Sequence, residues 1–342
     1  MRKAITGIVL LGLLLVGALV YFWGEGAFWP CEPAGRLLGG GSCTHLITGD
    51  VGGAARLPNG NLLVALGADE GDSSNAIRLV EIPATGGPVI SETVLRDNPV
   101  ETHPLGIAVS PDGEQVAVQQ SFREGRRRHQ LSVFDRQGGF IAEDMGGLPG
   151  YMAFDARGRL LLHPDAILGE LASPALAAAY DLSVSQVPQP VNWNELGPLF
   201  QQGLTLAYSP DGTTFAQALD HAYATPFVGL RVYAVGLEDR PGQLLGASLR
   251  SGCHYNFIDL AFSPDGKRIA AVFDCPDRWG QVSSTLEVWD HTEGKHVLTV
   301  PVVNGFSDPF WYDDGSIIAM RYNYVRGGTD LFRIKVPATS WR

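Results

Sequence analysis

Two hydrophobic patterns divide the chain. From Ala4 to Trp23 apolar residues run unbroken behind Arg2 and Lys3. As a helix at about 1.5 Å per residue, that run spans the roughly 30 Å of a bilayer core. Farther on, apolar and polar residues alternate in short runs broken by turns. Leu105 to Val118 reads LGIAVSPDGEQVAV, Leu204 to Ala216 reads LTLAYSPDGTTFA, and Ile258 to Val272 reads IDLAFSPDGKRIAAV. Each predicts a strand, a tight turn and a second strand. In the turn, Pro presets φ for the corner, Asp bonds the neighbouring backbone, and Gly takes the positive φ that closes the hairpin.

Weaker copies surround Gly60, Gly158 and Gly315, which makes six units. Their turn glycines, Gly60, Gly113, Gly158, Gly212, Gly266 and Gly315, are 53, 45, 54, 54 and 49 residues apart. A third strand follows the hairpin in several units, as in Gln130 to Asp135, Leu230 to Val235 and Thr285 to Asp290. A fourth follows in most, as in His296 to Val302. Four antiparallel strands per repeat of this length predict an all-β, six-bladed β-propeller. The last unit stops after Leu331 to Val336 without a fourth strand, while Thr44 to Thr48 stands as an orphan strand before the first unit. Pairing the two closes the ring and leaves no exposed edge.

The SPDG hairpins and the strand endings, above all Ala261 to Ala270, resemble the repeats of TolB-type and WD-like bacterial propellers. The resemblance covers roughly residues 44 to 336. It implies a fold shared by scaffolds, binding proteins and some enzymes, and so does not choose among them. Trp289-Asp290 matches the WD dipeptide once, and a separate N-terminal domain like that of TolB is not expected.

The apolar run sets the expected compartment. Bulky Val20, Tyr21, Phe22 and Trp23 stand where a cleavage site needs small residues, so the run reads as an uncleaved anchor rather than a signal peptide. The basic N-terminus predicts that this end stays in the cytoplasm, and the aromatic residues up to Trp29 suit the far interface. The expected layout is a cytoplasmic end at residues 1–3, an anchor at 4–23, a neck at 24–43 and the propeller at 44–342. The propeller would then face the periplasm from a bacterial inner membrane. Four cysteines fit that oxidising space. Three connectivities are formally open. The local pairs are Cys253 with Cys275, flanking the turn at Ser263 to Gly266, and Cys31 with Cys43 across the neck.

Composition removes other classes. Forty-two Gly and 22 Pro exclude a helical bundle, and a net charge of −11 disfavours binding a nucleic-acid backbone. No G-x-S-x-G elbow, H-E-x-x-H or phosphate loop is present. The acidic loop at Asp69, Glu70 and Asp72 lacks calcium-loop spacing. No cofactor or metal is expected. Candidate partner contacts are Arg126, Arg127 and Arg128, expected in a loop from Ser121 to His129. Trp193, Glu195 and Phe200 in the long insertions of the third unit, and Trp279, join them. The leading expectation is a membrane-tethered interaction module for protein partners of the membrane or periplasm. The alternative is a lactonase-like hydrolase or small-ligand sensor using Asp220, His221, His254 and Asp274 around the central channel.

Overall fold

A computed structural model of the chain describes residues 43–68, 75–95, 102–124, 126–145, 150–154, 158–164, 178–180, 189–190, 202–203, 206–209, 213–219, 229–234, 242–246, 256–276, 282–302, 306–312, 314–322 and 328–336. Among them are strands and turns and no helix. The anchor expected at residues 4–23 lies outside the described residues, which hold no helix long and apolar enough to cross a membrane.

The SPDG turns act as the sequence indicates. Ser110 Oγ donates to Asp112 Oδ1 at 2.5 Å, the same carboxylate oxygen accepts from the Glu114 N–H at 3.0 Å, and the Gln115 N–H donates to Ser110 Oγ at 2.8 Å. The Ser110 hydroxyl, followed by that backbone bond, holds the Asp112 carboxyl below its ordinary range. Gly113 takes φ 79°, which only glycine adopts without cost. The turn at Ser263 repeats the pattern at 2.6, 3.1 and 2.9 Å.

These hairpins build the sheets. After β1 (Cys43–Gly49), the first sheet runs β2 (Val51–Arg56), β3 (Leu62–Leu66), β4 (Arg78–Ile82) and β5 (Ser91–Val94). The second runs β6 (Thr102–Val109), β7 (Gln115–Glu124), β8 (Arg126–Asp135) and β9 (Phe140–Met145). The third runs β10 (Gly150–Phe154), β11 (Leu160–Pro164), β12 (Ala178–Tyr180) and β13 (Gln189–Pro190). A short β14 (Gln202–Gly203) precedes the fourth sheet, which is β15 (Leu206–Tyr208), β16 (Thr214–Leu219), β17 (Gly229–Ala234) and β18 (Gln243–Gly246). The fifth is β19 (Asn256–Phe262), β20 (Arg268–Pro276), β21 (Val282–Asp290) and β22 (Lys295–Val302), with β14 added beside β19. In the last, β23 (Phe306–Trp311), β24 (Ser316–Tyr322) and β25 (Thr329–Lys335) are completed by β1. The expected pairing is present: β1 lies antiparallel to β25, from Cys43 opposite Ile334 to Gly49 opposite Thr329.

The core lies between sheets. Leu57, Leu63 and Leu79 pack with Val116, Val118 and Phe134 between the first and second sheets. Ala117, Leu131 and Val133 pack with Phe154 and Leu160 between the second and third. Leu230 and Val232 meet Phe262 and Ile269 between the fourth and fifth, and Val272 and Leu286 meet Ile317 and Phe332 between the fifth and last. Leu46, Ile318 and Leu331 meet Leu62 and Val64, so the last sheet packs on the first. Four-stranded antiparallel sheets stacked side by side, with the last returned to the first, are the architecture of a β-propeller.

Two polar networks fix neighbouring sheets at the end that carries the first-to-second-strand turns, called here the turn face. Arg333 Nη2 donates to Asp314 Oδ2 at 2.6 Å, its Nε donates to Ser316 Oγ at 2.8 Å, and its Nη1 donates to the Ala84 carbonyl of the first sheet. Its guanidinium lies 4.9 Å from the ring centroid of Tyr312, whose hydroxyl donates to the Gly60 carbonyl. Between the first and second sheets, Glu81 accepts from Asn61 at 2.6 Å, from Asn59 at 2.9 Å and from Arg136.

Burial pushes the Glu81 carboxyl up, but the Asn61 and Asn59 amides and the Arg136 guanidinium outweigh it and hold the group below the ordinary glutamate value. A depressed folded value means the stabilisation is complete above the unfolded value, about 4.3, and is lost as pH falls through the folded one. Glu81→Gln is therefore expected to cost about 1–3 kcal/mol at pH 7. The gap should be smaller at pH 3 than at pH 7. Urea midpoints at both pH values measure this, and an equal gap at both would refute it.

Candidate functional site

The second-to-third-strand connections lie opposite the turn face, at an end called here the loop face. Two residues meet there that sequence reading did not single out. Asp50 stands before β2 and His103 near the start of β6, and Asp50 Oδ2 lies 2.9 Å from His103 Nδ1. Both are substantially exposed, with side chains at 35% and 46% of full accessibility. The pair joins the first strands of two neighbouring sheets. A carboxylate against a ring nitrogen fixes the tautomer and orientation of the imidazole. The chemistry available is thus acid–base or polar binding.

The repeat places this pair. Asp50 and His103 each stand ten residues before a turn glycine, Gly60 and Gly113, so they are equivalent positions of successive units. Asn256, ten before Gly266, is the counterpart in the fifth sheet, where it pairs with Asp274. Three first strands also share a β-bulge at one place: Gly52, Leu105 and Ile258, each eight residues before its turn glycine, are skipped in the ladder. A bulge re-aims the strand end beyond it, here the end that carries Asp50, His103 and Asn256. Gly52 is also forced by contact, because a Cβ there would stand 2.1 Å from the Pro104 carbonyl oxygen. Backbone touches backbone between β2 and β6, and no side chain fits between them.

A second loop-face group belongs to the closing strand. Thr48 Oγ1 donates to Asp330 Oδ1 at 2.6 Å, His45 Nε2 lies 2.8 Å from Thr48 Oγ1, and Arg321 Nη2 lies 3.4 Å from Asp330 Oδ2. Arg321 and Asp330 are almost fully buried. This group ties β1 to β24 and β25, and its role is structural.

The third feature corrects an expectation. Ser121 to His129 is not a loop: β7 and β8 run as a continuous hairpin, with Glu124 opposite Arg126, Arg123 opposite Arg127 and Phe122 opposite Arg128. β6 pairs only as far as Thr102 opposite Phe122, and β9 only from Met145 opposite Gln130. The backbone ladder therefore continues from the sheet through these arginines. A shallow cleft between the first and second sheets lies beside its base, lined by Gln120, Gln130, Ser132, Phe140 and Glu143.

The other expected residues separate. Asp274 lies at the loop-face end of β20, whereas Asp220, His221 and His254 lie outside the described residues, so their expected convergence does too. Trp193, Glu195, Phe200 and Trp279 are outside as well. Cys43 is disulfide-bonded. Cys275 lies in β20 opposite Ser283, and Cys31 and Cys253 are outside the described residues. Among the described residues no group of three His, Cys, Asp or Glu is placed to hold a metal ion.

The chain matches no protein-family model. It also matches no curated protein. Solved structures similar to it include one described as TolB from Agrobacterium tumefaciens, at 14% identity and TM-score 0.46, covering 84% of this chain and 91% of that one. Others are an oligogalacturonate lyase in complex with manganese, at 14% identity and TM-score 0.46, covering 89% and 95%, and a glucose dehydrogenase, at 14% identity and TM-score 0.48, covering 86% and 100%.

Proposed function

We propose that this chain is a six-bladed propeller tethered to the bacterial inner membrane by residues 4–23, and that it acts from the periplasmic side as an interaction module for a protein partner. The observation that carries this reading is the β7–β8 hairpin, which extends a rigid ladder with Arg123, Arg126, Arg127 and Arg128 beyond the strands that flank it. Display on a rigid sheet lowers the ordering cost of binding, and a tether raises the local concentration of the domain near membrane partners. The long third-unit insertions with Trp193, Glu195 and Phe200, and the segment with Trp279, extend the same surface in this reading. The cysteines pair as Cys31 with Cys43 and Cys253 with Cys275.

A second reading has one observation in its favour, the Asp50–His103 pair on the loop face. There the domain binds a small polar ligand or turns over a substrate, with Asp274 among the surrounding residues.

One experiment separates them. Tagged full-length protein is purified in gentle detergent from its native host beside the triple variant Arg126→Gln, Arg127→Gln, Arg128→Gln. The expected result is a stoichiometric protein partner that is lost from the variant. A monomer that copurifies with no protein overturns the interaction reading, and a partner retained by the variant overturns the hairpin as its contact.

A further inference from the structure

The outer rim of the sheets carries an apolar arc. Six large apolar side chains are exposed among the described residues, and four of them, Val89, Ile90, Val94 and Phe140, stand 48–59% exposed on two neighbouring sheets. β5 and β9 are the last strands of their sheets, so both lie on the rim. Two glycine contacts order these residues around it. A Cβ on Gly86, in the turn that leads to Val89 and Ile90, would stand 3.0 Å from Thr44 Cγ2 of β1. A Cβ on Gly138, in the turn that leads to Phe140, would stand 2.9 Å from Thr93 Cγ2 and 3.2 Å from the Val94 carbonyl oxygen. The arc therefore begins beside β1 and continues through β5 to β9. Charges beside it are paired within the domain: Arg78 Nη1 lies 3.5 Å from Glu92 Oε1 across β4 and β5, and Arg136 holds Glu81. What the arc offers is apolar area, and an exposed patch of that kind marks a protein or membrane contact.

We infer that this arc rests in the head-group layer of the bilayer beside the tether at residues 4–23. The inference rests on the tether reading. The chain ahead of the domain decides for a membrane: it arrives at Cys43, next to Thr44, so the arc starts where the tether does. With the proposed Cys31–Cys43 bond, only residues 24–30 separate Trp23 from the bridged pair, at most about 30 Å of extended chain. That is less than the roughly 50 Å width of a domain of this size, so the rim at β1 stays close to the surface. Phe28 and Trp29 in the same stretch suit the interface. Binding at the head-group boundary grows with the apolar area buried, and a chain of net charge −11 gains nothing from anionic lipid.

Full-length protein reconstituted in phosphatidylcholine vesicles tests this, with p-benzoylphenylalanine in place of Val94 or Phe140, or of Leu105 or Leu244, the two exposed apolar residues elsewhere. Only variants with the wild-type melting temperature are compared, and lipid adducts are counted by mass spectrometry after irradiation. Probes at Val94 and Phe140 should yield about tenfold more adduct than probes at Leu105 and Leu244, and added salt should leave the yields unchanged. Equal yields from the two pairs, no adduct at any position, or loss of adduct in salt would overturn the inference. Capture of a protein and no lipid by the Val94 and Phe140 probes in native membranes would give the arc to a protein partner instead. An alkaline carbonate wash distinguishes the two ways of failing. Protein that stays in the vesicles without adducts keeps the tether and loses the arc, whereas protein that washes off loses both.

Discussion

Deleting residues 43–49 while keeping the rest of the chain should destabilise the domain by at least about 5 kcal/mol. That is a large share of the roughly 5–15 kcal/mol by which such domains are stable. The strand is short, but it enters two interfaces at once. Cys43 is buried in the cluster between the fifth and last sheets, and Leu46 in the cluster between the last and the first. Its loss removes those side chains from the core, strips the ladder partner from Thr329 to Ile334, and leaves Asp330 without the Thr48 hydroxyl. The edge of β25 would then be open to strand addition by another copy. Urea unfolding followed by tryptophan fluorescence measures the loss, and size analysis measures the association. A deletion variant with the wild-type midpoint would show that the ring does not depend on closure.

The second large effect concerns a single carboxylate. Asp330→Ala should cost about 3–5 kcal/mol, because it leaves the Arg321 guanidinium in a nearly sealed site without its carboxylate. The guanidinium also lies 5.3 Å from the Phe332 ring centroid, against which His45 stacks edge-on at 5.2 Å, so it has no easy route to water. Replacing both partners, as Asp330→Leu with Arg321→Met, should recover most of the loss, since a buried ion pair is often no better than apolar packing of the same volume. The measurement is the double-mutant cycle in urea. A single substitution costing less than about 1 kcal/mol would mean that solvent reaches Arg321.

What could be read in the sequence was what repeats. Ser110, Asp112 and Gly113 recur as Ser263, Asp265 and Gly266 with the same bonds, because the turn is specified by four adjacent residues. The closing strand was legible for a different reason: a unit that stops one strand short implies an orphan elsewhere, and THLIT was that orphan. The extended hairpin is hidden because Gly125 and the arginines that follow it, Arg126 to Arg128, have little strand propensity of their own. They are strand because β7 and β8 are already paired beneath them. Asp50 and His103 were missed although a signal existed. They are 53 residues apart, as are Gly60 and Gly113, so aligning the units on their turn glycines puts them in one column.

The closing strand also sets a schedule for synthesis. Thr48 and Asp330 are 282 residues apart, so a strand made early bonds one that arrives 282 residues later. At about 5–20 residues per second that interval is tens of seconds, throughout which β1 has no native ladder to join. Its composition suits the wait: THLIT is short and half polar, a poor template for wrong pairing. Intermediate sheets gain neighbours as they emerge, but the first sheet keeps an uncovered flank until the final one docks. A chain stalled or cut anywhere before Thr329 therefore leaves an open arc with two sticky ends, which makes the C-terminal sheet the quality checkpoint for the whole molecule.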